Sequence, residues 1–398
     1  MTRHALVSGA SIAGPALALQ LNAAGWRTTV VERAPRLRDE GQNVDLRGAG
    51  REVARRLGLE DAVRAANTTE VGLRLMDEVG GTVAEFPAGE SGTDGPTAEL
   101  EILRGEMARI LYERTDEATE YRFGDSITDL AEHDDHVTAT LASGTTVDAD
   151  VVVVAEGTRS HTRSLVVPEV DMTELGLYIA YLTIPRTADD DRWWRWMHTT
   201  GTRGVSLRPD NLGSTRAMLS FLSDVRGLEA LDRDGQLTIL RRTFADVGWE
   251  APRVLEALDD ASMYFDAVAQ VKLDRWSHGR TVLLGDAAWA AGPFGTGTSL
   301  ALTGSYILAG ELAAQPDVPT ALARYEQLMR PFVDRAQDVK PAMIRAMNPR
   351  TAVGQKVQRG AAKVAAEAFD KLGGLVNRIA GPPADAIDLP DYGHLPAA

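Results

Sequence analysis

The stretch of residues 280–302 constrains the fold more than any other, because it joins a buried strand to a helix through a run of small residues. Residues 281–284 are apolar and precede Asp286, which predicts a strand with a carboxylate at its carboxyl end. The glycine-rich run 295–299 then leads into a helical apolar pattern at 300–312. Glycine lets the backbone approach a ligand closely, and the unpaired N–H groups of a helix start favour an anion or an electron-rich carbonyl. The stretch therefore predicts a ligand site where this strand ends.

A second glycine-rich turn lies near the amino terminus. Residues 5–7 predict a strand, a helical pattern extends to Leu21, and residues 28–31 predict another strand that ends in Glu32. This spacing is typical of a dinucleotide-binding unit, with a pyrophosphate on the helix start and the acidic residue accepting hydrogen bonds from ribose hydroxyls. The candidate residues of the turn are Gly9, Ser11, Ile12, Ala13 and Gly14. Ser11 stands where the motif usually has its second glycine, which weakens the match.

The acidic Glu32 favours an unphosphorylated adenosine ribose, as in FAD or NAD, over NADP. At this point two interpretations remain open, a nicotinamide dehydrogenase and a flavoprotein.

Composition excludes several functions. A length of 398 residues predicts two or three lobes, and a net charge of −15 argues against a nucleic-acid partner. The absence of cysteine excludes disulfides, thiolate metal sites and a cysteine nucleophile, and we expect no bound metal. No apolar run approaches the roughly 20 residues that span a bilayer, and no secretory signal is visible. We therefore expect a cytoplasmic protein without a membrane partner.

Three segments carry a resemblance to a known family. They are the turn at 9–14, the run 155–160 that follows the apolar strand 151–154, and the stretch 285–297 with its Gly-Asp pair, Pro293 and two glycines. In this order they are similar to the fingerprints of the single-component FAD-dependent aromatic hydroxylases, flavoprotein monooxygenases with the para-hydroxybenzoate hydroxylase fold. The distal Gly-Asp motif decides for a flavin, because a nicotinamide dehydrogenase has no use for it.

The resemblance implies an α/β fold, with a Rossmann-like FAD-binding domain, an interleaved antiparallel-sheet substrate domain and a C-terminal helix. The implied segments are 1–72, 101–170 and 273–345 for the FAD-binding domain, 73–100 and 171–272 for the substrate domain, and 346–398 for the C-terminal helix and tail. We expect the C-terminal helix, which is basic, to pack across the junction of the two domains. The glycine- and acid-rich loop 88–95 is a natural place for substrate entry.

The resemblance also implies which residues bind FAD. Glu32 and Arg33 open a run similar to the family's Glu-Arg-Ala segment, and Arg47 and Arg104 stand where family arginines lie near the cofactor. Asp286 would hold the ribityl chain, and the nearby helix start would stabilise the anionic reduced flavin. The candidate residues of this helix start are Gly295, Gly297, Thr298 and Ser299.

Two positions depart from the family pattern, and one matches it. Glu156 replaces the aspartate of the second fingerprint, which leaves the cofactor-related role of that position open. Trp289 replaces the histidine of the third fingerprint. Pro293 matches the family proline, and we expect it to shape the floor of the reaction site.

The run 193–198 is the most unusual composition in the chain, because three of its six residues are tryptophan. Aromatic faces stack on planar substrates, so the run could line a pocket for a phenolic or polycyclic compound. The alternative is that these tryptophans pack beneath a sheet. His198 is a candidate for proton transfer with a phenol. The candidate substrate contacts are Trp194, Trp196, Tyr181 and Trp289.

The implied activity is that of a monooxygenase in which NAD(P)H reduces FAD, O2 adds at the flavin C4a carbon, and the hydroperoxide hydroxylates an electron-rich ring. We expect a small aromatic or polycyclic substrate, such as an antibiotic, and a monomer or dimer. A flavin halogenase, a flavin-dependent reductase and a non-catalytic FAD- or drug-binding protein stay open as alternatives. The halogenase motif Trp-x-Trp-x-Ile-Pro is broken here, because Met197 and His198 follow Trp196.

Overall fold

The computed structural model describes residues 2–38, 41–88, 99–293, 295–372 and 388–393. Its strands are, in chain order, β1 (His4–Ser8), β2 (Arg27–Glu32), β3 (Asn43–Leu46), β4 (Gly72–Met76), β5 (Thr82–Pro87), β6 (Leu100–Leu103), β7 (Thr119–Phe123), β8 (Ile127–Glu132), β9 (Val137–Leu141), β10 (Thr146–Ala149), β11 (Val151–Val154), β12 (Asp171–Pro185), β13 (Trp194–Thr199), β14 (Arg203–Pro209), β15 (Ser214–Leu222), β16 (Ser262–Lys272), β17 (Ser277–His278) and β18 (Thr281–Leu283). Apart from Ala88, the predicted entry loop 88–95 lies outside the described residues.

The helices of the described residues connect and cover these strands. They are α1 (Ala13–Ala23), α2 (Gly48–Arg56), α3 (Glu60–Ala65), α4 (Arg104–Glu113), α5 (Arg163–Val166), α6 (Arg233–Phe244), α7 (Ala251–Glu256), α8 (Asp286–Trp289), α9 (Gly297–Ala314), α10 (Val318–Ala336), α11 (Pro341–Met347) and α12 (Ala352–Leu372). The predicted α/β class is confirmed.

The first large sheet is the parallel sheet predicted from the amino-terminal pattern. Its strand order is β17-β18-β11-β1-β2-β7, and β1 pairs in parallel with both β2 and β11. β18 continues the parallel array beside β11, and only the edge strand β17 runs antiparallel. The carboxyl ends of parallel strands meet at one edge of a sheet, where ligands bind in such folds. This edge therefore brings together the turns that follow β1, β11 and β18, although these are far apart in the chain.

Residues 137–141, the turn at Gly144 and residues 147–154 predict one antiparallel hairpin, and this prediction is wrong in its second half. β9 and β10 form the predicted antiparallel hairpin, but the strand ends before Asp150, and β11 after it joins the parallel sheet. The physical reason is burial. Residues 137–141 and 146–149 alternate between buried and more exposed positions, as a half-covered hairpin requires, whereas all four valines of β11 are buried.

The second large sheet has the strand order β16-β12-β15-β14-β13-β4-β5. The sequence predicts strands at residues 178–184, 203–207, 217–222 and 263–271 of one antiparallel sheet, and the structure confirms them. Side chains alternate across this sheet. Tyr178, Ala180 and Leu182 point to a core that also contains residues of α6 and α7. The residues between them point to the opposite face, which lies toward the parallel sheet and forms one wall of a cavity.

The C-terminal helix takes a different position from the one predicted. The described helix α12 packs along β5 of the second sheet. Its Gln355 amide donates to the His198 carbonyl (3.0 Å), and Arg359 pairs with Glu78 (2.5 Å). The preceding helix α11 is the one at the junction between the sheets, where Ile344 and Met347 line the cavity.

Candidate functional site

One cavity of about 1210 Å³ lies between the two sheets. Its described lining includes the turn after β1, the turn after β11, the segment from Asp286 to Ser299 and the open face of the second sheet. The volume exceeds the roughly 300–1,000 Å³ of a typical small-molecule site. The segments near residues 9 and 295 therefore face the same cavity.

Backbone geometry builds the amino-terminal turn. Gly9 has a φ of +115°, and a Cβ at this position would lie 2.3 Å from the Ala155 carbonyl oxygen. No side chain fits there, so β1 can approach β11 closely only with glycine. α1 begins at Ala13 directly after this turn, and Ser11, Ile12 and Ala13 line the cavity. The start of α1 thus faces the cavity, as the dinucleotide motif predicts.

Glu32 lies at the end of β2 and supports the same turn. Its carboxylate accepts hydrogen bonds from the backbone N–H groups of Ala10 (2.9 Å) and Ala34 (3.0 Å). Only 7% of Glu32 is exposed, but it lines the cavity together with Arg33. A carboxylate has about four acceptor positions. Two therefore remain for hydroxyl groups in the cavity.

The second helix start, at α9, faces the cavity from the other side. In the described part of the chain, neither Ile12 before α1 nor Thr296 before α9 caps its helix with a side-chain hydrogen bond. Residues at both helix starts line the cavity, where the helix dipole favours an acceptor. Gly297 and Thr298 of α9 line the cavity with Gly295.

Asp286 is placed between β18 and the start of α9. Its side chain is exposed, but only to the cavity, and protein surrounds it on the other sides. Desolvation by this surrounding protein raises the pKa of Asp286, and the positive charge of Arg104 partly opposes the rise. A cavity-facing carboxyl group is suited to accept hydrogen bonds from ligand hydroxyls.

The two predicted arginines both line the cavity. Arg104 donates to the Ser11 hydroxyl (3.1 Å), which connects α4 to the amino-terminal turn. Arg47 pairs with Asp45 (2.9 Å), and its backbone N–H donates to the Ser299 hydroxyl (3.1 Å). Ser299 is therefore engaged by the protein, and its side chain fixes the start of α2 to α9.

Glu156, the departure from the family aspartate, has a structural role at the edge of the cavity. Its carboxylate accepts hydrogen bonds from the hydroxyls of Ser8 (2.5 Å), Thr162 (2.6 Å) and Ser160 (2.7 Å). These bonds join the end of β1 to the loop that follows β11. The longer side chain is accommodated because this loop surrounds it with hydroxyl donors.

The prediction that Trp289 contacts the substrate is wrong. Trp289 is 1% exposed, and the described cavity lining does not include it. Its ring packs against those of Trp276 (4.7 Å between centroids) and Tyr325 (6.0 Å). A Cβ at Gly304 would lie 2.9 Å from this ring, so α9 makes room for the indole with a glycine. Trp289 is a residue of the hydrophobic core behind the cavity.

The other aromatic candidates line the cavity on the open face of the second sheet: Tyr181, Trp194, Trp196 and His198. Trp194 and Trp196 stack on each other, with centroids 5.1 Å apart and planes within 15°. Each ring therefore presents one face to its neighbour. Stacking of these rings on a planar substrate stays a prediction. His198 continues the row at 4.5 Å from Trp196.

Burial lowers the pKa of His198 to about 4. The imidazole is accordingly neutral near pH 7. A neutral imidazole of low pKa is a poor proton donor, which argues against His198 as a general acid.

The sequence pattern did not identify Arg208, which also lines the cavity. Its guanidinium lies 4.1 Å from the centre of the Trp194 ring. The buried carboxylates of Glu70 (2.9 Å) and Glu101 (2.6 Å) bind the guanidinium from behind. Desolvation raises the pKa of Glu70 well above its ordinary value, against the effect of Arg208. Strand alternation over β14 could have placed Arg208 on this face, but nothing in the sequence indicates its partners.

Searches for a metal site and for a membrane-spanning helix among the described residues are both negative. They contain no cluster of His, Cys, Asp and Glu that could hold a metal ion. None of the described helices has the length and apolar character needed to cross a membrane.

Comparison with known proteins agrees with this geometry. A family model described as "FAD binding domain" matches residues 2–340. The flavin-dependent monooxygenase eupH of Phoma sp. is 34% identical, over 97% of this chain and 97% of its own length. A flavin-dependent monooxygenase from an unknown prokaryotic organism is 38% identical, over 84% of this chain and 88% of its own. The crystal structure of tetracycline destructase Tet(55) superimposes with a TM-score of 0.81 at 33% identity, covering 98% of this chain and 99% of that one.

The fold and the cavity thus define a flavoprotein with two lobes. The chain belongs to the family of FAD-dependent monooxygenases.

Proposed function

We propose that this protein takes electrons from NADH or NADPH and, with O2, hydroxylates an electron-rich aromatic or polycyclic compound. The observation that carries the proposal is the single cavity that connects two uncapped helix starts to a wall of aromatic side chains. Family membership supports the use of FAD in this cavity. When bound, FAD supplies the redox chemistry, and the protein supplies binding, orientation and exclusion of water.

The residues of the cavity fit an extended flavin dinucleotide. The start of α1, after Gly9, binds the pyrophosphate, and Glu32 accepts from the ribose hydroxyls beside Arg33. Asp286 accepts from the ribityl hydroxyls. Arg47 and Arg104 line the same cavity and would contribute positive charge toward bound FAD, with that of Arg47 partly offset by Asp45. These assignments rest on donor and acceptor chemistry together with the position of each residue in the cavity lining.

The start of α9 would stabilise negative charge on a bound flavin ring, because it lines the cavity and has no side-chain cap. Gly295 and Gly297 allow the ring to approach the backbone, and Pro293 shapes the floor beside them. Thr298 lines the same region, whereas Ser299 acts indirectly by holding Arg47 in place.

The substrate occupies the part of the cavity beside the second sheet. Tyr181, Trp194 and Trp196 form its wall, and neutral His198 contributes a hydrogen bond rather than a proton. The 33% identity with a tetracycline destructase supports a polycyclic substrate, and tetracycline is the first compound to test. The proposal includes the predicted division into FAD-binding and substrate segments, a cytoplasmic location, and a monomer or dimer.

The test is oxidation of NADH and of NADPH by the purified, FAD-loaded protein. Tetracycline and a panel of phenols are added one by one, and O2 consumption and product mass are measured. A true substrate accelerates oxidation of the nicotinamide and gains one oxygen atom. Dependence on halide would identify a halogenase, and a product that gains two hydrogens without O2 consumption would identify a reductase. Tight binding without turnover of any compound would identify a sequestering protein.

A further inference from the structure

The last described segment of the chain, residues 388–393, carries a further inference. α12 packs along β5 of the second sheet, but this segment lies against α2 and α9 on the side of the parallel sheet. Tyr392 is 7% exposed and belongs to the same hydrophobic core as α9, and Leu389 packs against that core. Segments near a chain end are poorly ordered unless specific contacts hold them. We name residues 389–392, which make these contacts, the clasp.

Gly310 of α9 provides the seat for the Tyr392 ring. A Cβ at Gly310 would lie 2.3 Å from two carbons of this ring, so the ring packs directly on the helix backbone. Glycine weakens a helix interior relative to alanine, and close contact with the ring is what this position gains from it. The ring also packs against Tyr306, with centroids 5.4 Å apart. The Tyr392 hydroxyl donates to the buried carboxylate of Glu311 (2.6 Å).

The Pro390 carbonyl is the second anchor of the clasp. It accepts hydrogen bonds from the Arg56 guanidinium (3.1 Å), at the end of α2, and from the Tyr306 hydroxyl (3.0 Å), on α9. Arg56 also donates to the Tyr306 hydroxyl (2.6 Å). One carbonyl of the clasp thus ties these two helices to each other.

The same two helices also meet at the cofactor site. A Cβ at Gly50 of α2 would lie 2.5 Å from the Ser299 Cα, and the Arg47 N–H donates to the Ser299 hydroxyl (3.1 Å). Arg47 and Ser299 both line the cavity. Tyr306 lies roughly 10 Å further along α9 than Ser299. α2 and α9 are therefore joined at two levels, once by residues of the cavity lining and once by the clasp.

We propose that the clasp fixes the packing of α2 against α9 and thereby raises the affinity of the protein for FAD. A site binds more tightly when its groups are held in place before the ligand arrives. When the clasp is released, α2 and α9 lose one of their two joints, and FAD itself must order Arg47 and the start of α9. Tyr392 is thus a positioning residue that acts through α9. The coupling depends on the FAD contacts of the proposed function, and not on the reaction that FAD carries out.

The test is a double-mutant cycle on the whole chain, with the dissociation constant of FAD measured by flavin fluorescence. Tyr392→Ala removes the ring, and Gly310→Ala fills its seat while favouring the helix. We expect each change to weaken FAD binding on the order of tenfold, and the double variant to bind no more weakly than either single one. Asp391→Ala, at an exposed position of the clasp, is the matched control and should leave the affinity unchanged.

Three outcomes of this cycle would overturn the proposal. They are unchanged FAD affinity in Tyr392→Ala, an equal loss in Asp391→Ala, and losses that add in the double variant. Additive losses would show that Gly310→Ala acts on α9 directly and not by displacing the ring.

Hydrogen exchange of the unaltered protein tests the coupling without a substitution. Because coupling is reciprocal, FAD should strengthen the clasp by the same factor by which the clasp strengthens FAD binding. The amide hydrogens of residues 388–393 are followed by mass spectrometry as FAD is added, and we expect their exchange to slow on the order of tenfold. Residues 233–244 of α6, in the core of the second sheet, are the control and should exchange at an unchanged rate. Exchange at 388–393 that does not respond to FAD would also overturn the clasp.

The two proposals fail separately. Normal hydroxylation, with an FAD affinity that Tyr392→Ala leaves unchanged, would remove the clasp and leave the proposed function. The expected loss of FAD affinity, without oxygen transfer to any compound, would remove the proposed function and leave the clasp.

Discussion

The two sides of the cavity are built from different parts of the polypeptide. On the side of the parallel sheet, the cavity meets backbone: glycines at positive φ, and helix starts whose N–H groups have no side-chain cap. On the side of the second sheet, it meets side chains that alternate from each strand, among them Tyr181, Trp196 and Arg208. A backbone site suits a cofactor that is always the same. A side-chain wall can vary without disturbing the strands, which suits a substrate that differs among relatives.

This comparison predicts that the two sides respond differently to substitution. On the backbone side, single changes should damage the turn or the cofactor affinity. On the side-chain side, single changes should alter the free energy of unfolding through burial and charge.

The largest effect is expected for Arg208→Met, because it leaves Glu70 and Glu101 buried without their cation. We expect a loss of about 3–5 kcal/mol in the free energy of unfolding, measured by urea denaturation. Arg226→Met is the control. Arg226 is 51% exposed and pairs with Glu174 at 3.3 Å, so its loss should cost less than about 1 kcal/mol. Equal effects of the two variants would show that the carboxylates behind Arg208 do not depend on it.

Gly9→Ala tests the backbone side. The new Cβ would lie 2.3 Å from the Ala155 carbonyl oxygen at a φ of +115°, so the turn must shift. We expect a loss of about 2–4 kcal/mol in unfolding free energy and a marked loss of bound FAD. Gly144→Ala has a similar positive φ of +84° but nothing within 4 Å of the added Cβ, and should cost only about 1 kcal/mol. If Gly9→Ala retained FAD as well as Gly144→Ala does, a close-packed turn would not be required.

Asp286→Asn tests the one carboxylate assigned to the ribityl chain. It keeps the shape of the side chain but removes the charge, and should weaken FAD binding by about 1.5–3 kcal/mol, or roughly 10- to 150-fold. The dissociation constant can be measured by flavin fluorescence. Asp129→Asn, on an exposed position of β8, is the matched control and should leave it unchanged. Full FAD affinity in Asp286→Asn would contradict the assignment.

The smallest effect is expected for the pH dependence of stability, through His198 on the side of the second sheet. Burial lowers the pKa of His198 to about 4, below its unfolded value of about 6.5. The resulting stability is therefore fully present above pH 6.5 and is lost as the pH falls toward 4. After allowance for water in the cavity, we expect a loss of about 1–2 kcal/mol over this window, measured by urea denaturation at several pH values.

His198→Asn should lack this part of the pH dependence. His278→Asn, at an exposed position of β17, should retain it. If His198 titrated like a solvent-exposed histidine, the unaltered protein and the two variants would show the same dependence of unfolding free energy on pH.

The sequence predicts the side of the parallel sheet more accurately than the side of the second sheet. The reason is again that the first is built from backbone and the second from side chains. Gly9 and the run 295–299 are recognisable because positive φ and close approach restrict the residue type locally. Composition identified Trp194 and Trp196 as candidates, but it did not predict the orientation of their rings. Trp289 was misassigned, because a tryptophan in a glycine-rich segment has the same sequence signature whether it faces the core or the cavity.

The sequence by itself determined that strands end in glycine turns, that these turns precede helices, and that acidic residues stand beside them. Local restrictions on backbone conformation are sufficient to determine these features. Only the tertiary structure decided that Glu70 and Arg208, 138 residues apart, meet behind the cavity wall, and that the indoles of Trp194 and Trp196 stack on each other. Those features depend on the register of paired strands and on packing between distant segments, and no local pattern of residues encodes either one.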